Sequence, residues 1–158
     1  MKRLFLAVVC FTIVGSVPIL AADPAEGYWK SIDEKGVITA YWKIWVEGEE
    51  LKGTIVKVPN KPDTDTCTAC KGDVASLKGK PIIGTVWIWG FKKDGDKWAK
   101  GKIVDCGKGD LYWASIKPLK SGDALEMRGS IDRWGIAGRT QVWKRVTEEE
   151  LAAIGVAK

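Results

Sequence analysis

Ile38-Thr39-Ala40-Tyr41-Trp42-Lys43-Ile44-Trp45-Val46 decides the fold. Ile38, Ala40, Trp42, Ile44 and Val46 fall on one face, with Thr39, Tyr41 and Lys43 on the other. This period of two belongs to a half-buried β-strand. The pattern returns at Ala99, Gly101 and Ile103 against Trp98, Lys100 and Lys102. It returns again at Leu125, Met127, Gly129 and Ile131 against Glu126, Arg128 and Ser130. Working outward, strands are expected over residues 28–33, 37–46, 51–58, 82–91, 97–105, 111–118, 124–131 and 137–145.

The breaks carry turn chemistry: Asp33-Glu34-Lys35-Gly36, Glu47-Gly48-Glu49, Lys93-Asp94-Gly95-Asp96, Gly107-Lys108-Gly109-Asp110 and Ser121-Gly122-Asp123. Their glycines and aspartates tolerate positive φ or form Asx-turns. Connections this short join antiparallel neighbours, because a parallel crossover needs a dozen residues or more. Only 59–80 is long. Thr147-Glu148-Glu149-Glu150 then starts a short terminal helix, with Thr147 as N-cap and Glu150 completing a capping box.

Eight antiparallel strands in simple order leave two edges exposed unless they close. The expected fold is therefore all-β, an eight-stranded antiparallel up-and-down barrel with a short C-terminal helix. A β-sandwich would favour Greek-key crossings over this run of hairpins. In the barrel, the connections after the first, third, fifth and seventh strands share one rim. The long 59–80 segment lies there, and three tight hairpins close the other end, so the first rim is the expected mouth.

The chain of 158 residues has 25 basic and 20 acidic groups, nine tryptophans and no histidine. Histidine-based triads, HExxH zinc sites and imidazole switches are excluded. Residues 1–22 read as an export leader. Lys2 and Arg3 precede an apolar run from Leu4 to Val14, Gly15, Ser16 and Pro18 break it, and Ala21-Ala22 is followed by Asp23. Cleavage near Ala22-Asp23 would lower the net charge from +5 to +3 by removing Lys2 and Arg3. The expectation is a leader over 1–22 and one domain over 23–158, periplasmic or secreted. No nucleic-acid partner is expected at that charge, and no stable membrane insertion once the leader is gone. Oligomeric state is not legible.

Cys67, Cys70 and Cys106 remain after the leader. Cys67-Thr68-Ala69-Cys70 lies in a polar loop rather than at a helix start in a βαβ unit, so a loop staple is favoured over redox work. Two pairings stand open. One is a bond from Cys106 to Cys67 or Cys70 across the mouth; the other is Cys67 to Cys70 with Cys106 free. No metal and no cofactor are expected, since three cysteines without histidine leave a zinc site short of ligands.

The sharper functional reading is a small, partly apolar ligand inside the barrel. Trp42, Tyr112, Ile116, Leu125 and Met127 would line it. Asp105 ends an inward-facing row, Arg139 starts the last strand at the same rim, and Trp134 lies in the mouth loop between the last two strands. Asp105 and Arg139 would pair as a strand-pinning ion pair or hold a ligand head group; Trp134 would cap the core or touch ligand. The alternatives are an envelope interaction module filled by its own aromatics and, less favoured, an enzyme using Asp105. Tryptophans suit cores without any ligand, so their number alone decides nothing. Trp98 and Trp113 have polar neighbours and are expected outside.

Gly27-Tyr28-Trp29 resembles the G-x-W that opens lipocalin-type barrels. In those folds a basic residue on the last strand packs over that tryptophan at the closed end, which implies the same of Arg145. A wider resemblance runs through Ala22–Trp29, Cys67–Gly72, Lys80-Pro81-Ile82-Ile83-Gly84, Gly101-Lys102-Ile103-Val104-Asp105 and Gly138-Arg139-Thr140-Gln141-Val142-Trp143. These segments, in order, are similar to the bacterial exported family known as domain of unknown function 2147. The resemblance implies an envelope or secreted lipocalin-like barrel without an established activity. Cys106 stands where that family usually has proline.

Overall fold

A computed structural model describes residues 22–156. The expected leader lies, but for Ala22, outside the described residues. The chain forms β1 (Gly27–Ile32), β2 (Ile38–Glu47), β3 (Glu50–Lys57), β4 (Val86–Asp94), β5 (Lys97–Asp105), β6 (Asp110–Pro118), β7 (Ala124–Ser130), β8 (Gly138–Arg145) and α1 (Glu148–Ala153). The strands pair antiparallel in sequence order and close into a barrel. Thr147 and Glu150 make the capping box of α1.

Period two decides which side chains meet inside. Trp29, Trp42 and Ile55 lie side by side across β1–β3, and Ile116, Met127 and Gln141 do so across β6–β8. The lower half is solid. Trp29, Leu51, Phe91, Ile116 and Leu125 are fully buried there, and Gly101 leaves room for the Phe91 ring, which a Cβ would overlap at 1.9 Å. At roughly 1.5–3 kcal/mol per large apolar side chain, this cluster is the main favourable contribution to the fold.

The closed end is held by one guanidinium. Arg145 lies 4.1 Å over the Trp29 ring and donates to the carbonyls of Gly122, Glu26 and Pro24. Trp29 Nε1 donates to Ala25 at 2.9 Å. Residues 23–26 cross this end as a strap. Asp23 accepts from Lys93 and Trp98, and Glu26 accepts from the Val46 amide. Although burial alone would raise it, the Asp23 pKa is lowered by hydrogen bonds from Lys93, the Ala25 amide and Trp98.

Two expectations change, and the open choice between cysteine pairings is decided. The fourth strand starts at Val86 rather than residue 82, because Pro81 and Gly84 (φ 85°) keep 82–85 irregular. The long connection thus extends to residue 85 and contains a 3-10 helix, Gly72–Leu77. It covers the outer face of β4: Trp87, facing away from Ile88, is fully buried and donates to the Ile82 carbonyl at 2.7 Å. This is why β4 is apolar on both faces. Next, Lys100 (φ 60°) inserts a bulge that changes the parity of β5. Trp98 consequently opposes Ile116 and is buried, not outside. Trp113 does face outward, between Lys102 and Arg133.

Finally, the disulfide joins Cys67 to Cys70, and Cys106 is a free thiol. A bond from Cys106 across the mouth is not formed. The disulfide loop instead packs on the β5–β6 turn, where a Cβ on Gly109 (φ 73°) would meet the Ala69 carbonyl oxygen at 1.8 Å.

Replacing Arg145 by Met keeps the apolar stem and removes the three carbonyl bonds. It is expected to destabilise the barrel by about 2–4 kcal/mol. Urea unfolding checks this, and a loss under ~0.5 kcal/mol would show that the closed end does not depend on the guanidinium.

Candidate functional site

Above the solid half lies a cavity of about 820 Å3 that opens at the expected mouth. All four connections of that rim contribute. Ser31 and Thr39 flank the β1–β2 turn, Val58, Lys61 and Ile82 come from the long connection, residues 105–108 from the β5–β6 turn, and Ile131 and Ala137–Arg139 from the β7–β8 loop. The floor is an aromatic pair, Trp42 stacked on Trp143 with centroids 5.0 Å apart. Trp42 Nε1 donates to Ser31 Oγ and Trp143 Nε1 to Gln141 Oε1, so neither indole leaves a buried donor unpaired.

The walls are made by Ile55, Ile103, Tyr112 and Met127. Trp42, Tyr112 and Met127 therefore stand where the sequence places them, on the lining. Ile116 and Leu125 do not line the cavity. They face inward lower down, fully buried in the packed half. Gly129 leaves its part of the wall open, since a Cβ there would meet nothing closer than Tyr112 Cβ at 3.9 Å.

At the mouth the expected pairing of Asp105 with Arg139 is absent. Asp105 Oδ1 instead accepts from the amides of Gly107 (2.9 Å) and Lys108 (3.2 Å), closing its own turn. Arg139 pairs with Glu34 at 2.7 Å, and both are exposed. The reason is local: an aspartate two residues before a turn amide satisfies itself with less ordering than a partner across the mouth requires. Both residues still border the cavity.

Trp134 is 83% exposed and does not line the cavity. Asp132 accepts from the amides of Trp134, Ile136 and Ala137, and these bonds lower its pKa, those to Ile136 and Ala137 first. Arg128 braces the loop from below through the Gly135 and Ile136 carbonyls. The tip is thus built with Trp134 and Ile136 held outward. The lining residues that sequence reasoning missed, Ser31, Ile55, Gln141 and Trp143, were accessible through strand parity. Trp143 follows Arg139 and Gln141 on the same face.

Cys106 borders the cavity as well. Burial pushes its thiol up to about 12, with the Asp105 charge adding to the effect. Such a thiol is protonated at neutral pH and a poor nucleophile. Among the described residues, no group of three or more histidine, cysteine or acidic side chains could hold a metal.

Residues 27–145 match the family model for an uncharacterized protein conserved in bacteria, domain of unknown function 2147. The chain belongs to this family. No curated protein is matched. The chain is similar in structure to protein HP1028 from Helicobacter pylori, described as belonging to the lipocalin family. The TM-score is 0.73 at 17% identity, over 84% of this chain and 90% of that one. That likeness shows the fold: the family member described here is a lipocalin-like barrel.

The free thiol can be counted. Residues 23–158, unfolded without reductant, should release one equivalent of thiol, and three after reduction. In the folded protein, alkylation at pH 8 should run at least tenfold slower than on the unfolded chain. Three equivalents without reductant would exclude the Cys67–Cys70 bond in the isolated protein.

Proposed function

We propose that this is an exported binding protein that holds a small, partly apolar molecule in the upper half of its barrel. The observation that carries this is the cavity itself. Its volume of about 820 Å3 falls within the ~300–1,000 Å3 of small-molecule sites. An aromatic floor, apolar walls and a few polar groups near the entrance have the composition of such sites. The same void weighs against a barrel filled by its own aromatics. Nothing at the mouth combines a nucleophile, a base and a group that orients it, so the reading is binding rather than catalysis.

Export is part of the proposal. It rests on the leader-like segment 1–22 and is consistent with a disulfide, which persists in oxidising compartments. Cleavage before Asp23 would turn its amide, 3.0 Å from Glu26 Oε2, into an ammonium beside a carboxylate. One observation favours an interaction module as a second reading: Trp134, Ile136 and Ile131 lie exposed together in the β7–β8 loop. An exposed apolar cluster of this kind marks contact surfaces.

Gly129→Phe directs a ring into the cavity from a position with room for it. It should lower affinity for 1-anilinonaphthalene-8-sulfonate at least tenfold while leaving the melting temperature within a few degrees. Fluorescence titration checks this. Unchanged affinity in a folded variant would place probe binding outside the barrel and remove the support for an internal site. Native mass spectrometry of protein taken from its own envelope would then look for the retained molecule.

A further inference from the structure

The charge on the cavity lining is unevenly placed. Lys61, Lys108 and Arg139 border it, each on a different mouth connection or strand end, and all are exposed. Among the described residues Asp105 is the one lining carboxylate, and its Oδ1 is already taken by two amides of its own turn. Lys61 has no ion pair among the described residues. Lys108 has a loose one to Asp105 at 3.9 Å, and Arg139 pairs with exposed Glu34. Exposed pairs contribute little, so either cation can be redirected at small cost.

Below these cations the lining loses charge. Arg139, Gln141 and Trp143 follow one another down the inner face of β8. At about 3.3 Å per residue, the floor lies ~13 Å beneath the guanidinium. Apart from Asp105 the other lining side chains carry no charge: Ser31 and Gln141 are polar, and Met127, Tyr112 and the Trp42–Trp143 floor are apolar or aromatic.

We propose that the molecule held in the cavity is an anionic amphiphile. Its carboxylate or phosphate head lies among Lys61, Lys108 and Arg139, and its apolar tail runs down to the Trp42–Trp143 floor. This rests on the binding reading above and names its ligand class. A cationic head would meet a lining with three cations against the one carboxylate of Asp105, and a neutral head would gain nothing from them. Arginine offers a planar fork to two oxygens and the lysines add point charges, which suits carboxylate and phosphate alike.

The experiment compares four twelve-carbon probes below their aggregation concentrations: laurate, dodecyl phosphate, monolaurin and dodecyltrimethylammonium. Binding to residues 23–158 is read by tryptophan fluorescence and calorimetry at pH 7.4. Laurate, dodecyl phosphate or both should bind at least tenfold tighter than the neutral and cationic probes, and their relative affinity distinguishes a carboxylate from a phosphate head. Raising salt from 0.05 to 0.5 M should narrow that gap several-fold. The triple variant K61E/K108E/R139E should lose about tenfold for the anionic probes, the sum of three exposed ion pairs. Should that variant fail to fold, the head-group order and salt dependence of the unaltered protein still decide. Equal affinity for all four probes would overturn the head-group assignment while leaving an apolar binding cavity intact. Binding of none would overturn both readings together.

Discussion

The barrel closes through a short seam, and the guanidinium of Arg145 holds it. β1 and β8 share only two residue pairs, Trp29 with Arg145 and Lys30 with Lys144, where β7 and β8 share seven. With so little ladder, closure depends on side chains. Arg145 covers the Trp29 ring and collects three carbonyls from the strap and the β6–β7 turn. Lys30 adds an ion pair to Glu150, which ties α1 across the outside of the same seam. The hydrophobic term is non-directional and would serve an open sheet as well. Closure into this barrel needs the directional contacts at Trp29.

Because the seam is short and low, the upper halves of β1 and β8 are not paired to each other. Residues 138–142 are exposed along β8, although β7 pairs them throughout. The cavity sits behind this unpaired stretch, between Ser31 and Thr39 on one side and Arg139 and Gln141 on the other. A packed lower half and a void above it are consequences of one arrangement. Large side chains on neighbouring strands meet below, while Gly129, Ala40 and Ser31 line the upper part. The packed core and the cavity therefore occupy different ends of the barrel.

Much of this is legible in the sequence because period two and short turns are local signals. They are enough for strand order, closure, the mouth rim and the places of Trp42, Tyr112, Met127, Trp29 and Arg145. What is not legible depends on events that parity does not register. One residue with positive φ, Lys100, carries Trp98 from the expected outer face to the interior. The same arithmetic puts Ile116 and Leu125 on the inner face correctly but says nothing of height, and height separates lining from packed core. The cysteine pairing was open because the topology brings Cys106 to the rim that holds the long connection. Only the close approach of Ala69 to Gly109 shows which contact the loop makes there.

Asp105 shows why a correct placement does not give a correct partner. Its position at the mouth follows from strand parity, and an inward carboxylate near the interior would need a cation. At the rim, however, two turn amides lie within reach along the chain, and bonding them orders fewer groups than fixing Arg139 across the opening. Satisfied locally, Asp105 no longer needs the arginine, and Arg139 turns to Glu34, an exposed partner it can leave at little cost. The acid keeps its charge but is fixed within its own turn, and the mouth cations pair only with exposed or half-exposed partners, Lys108 with Asp105 at 3.9 Å and Arg139 with Glu34. For the binding function proposed above, this arrangement leaves Arg139 and Lys108 with exposed partners that an incoming anion can replace at little cost.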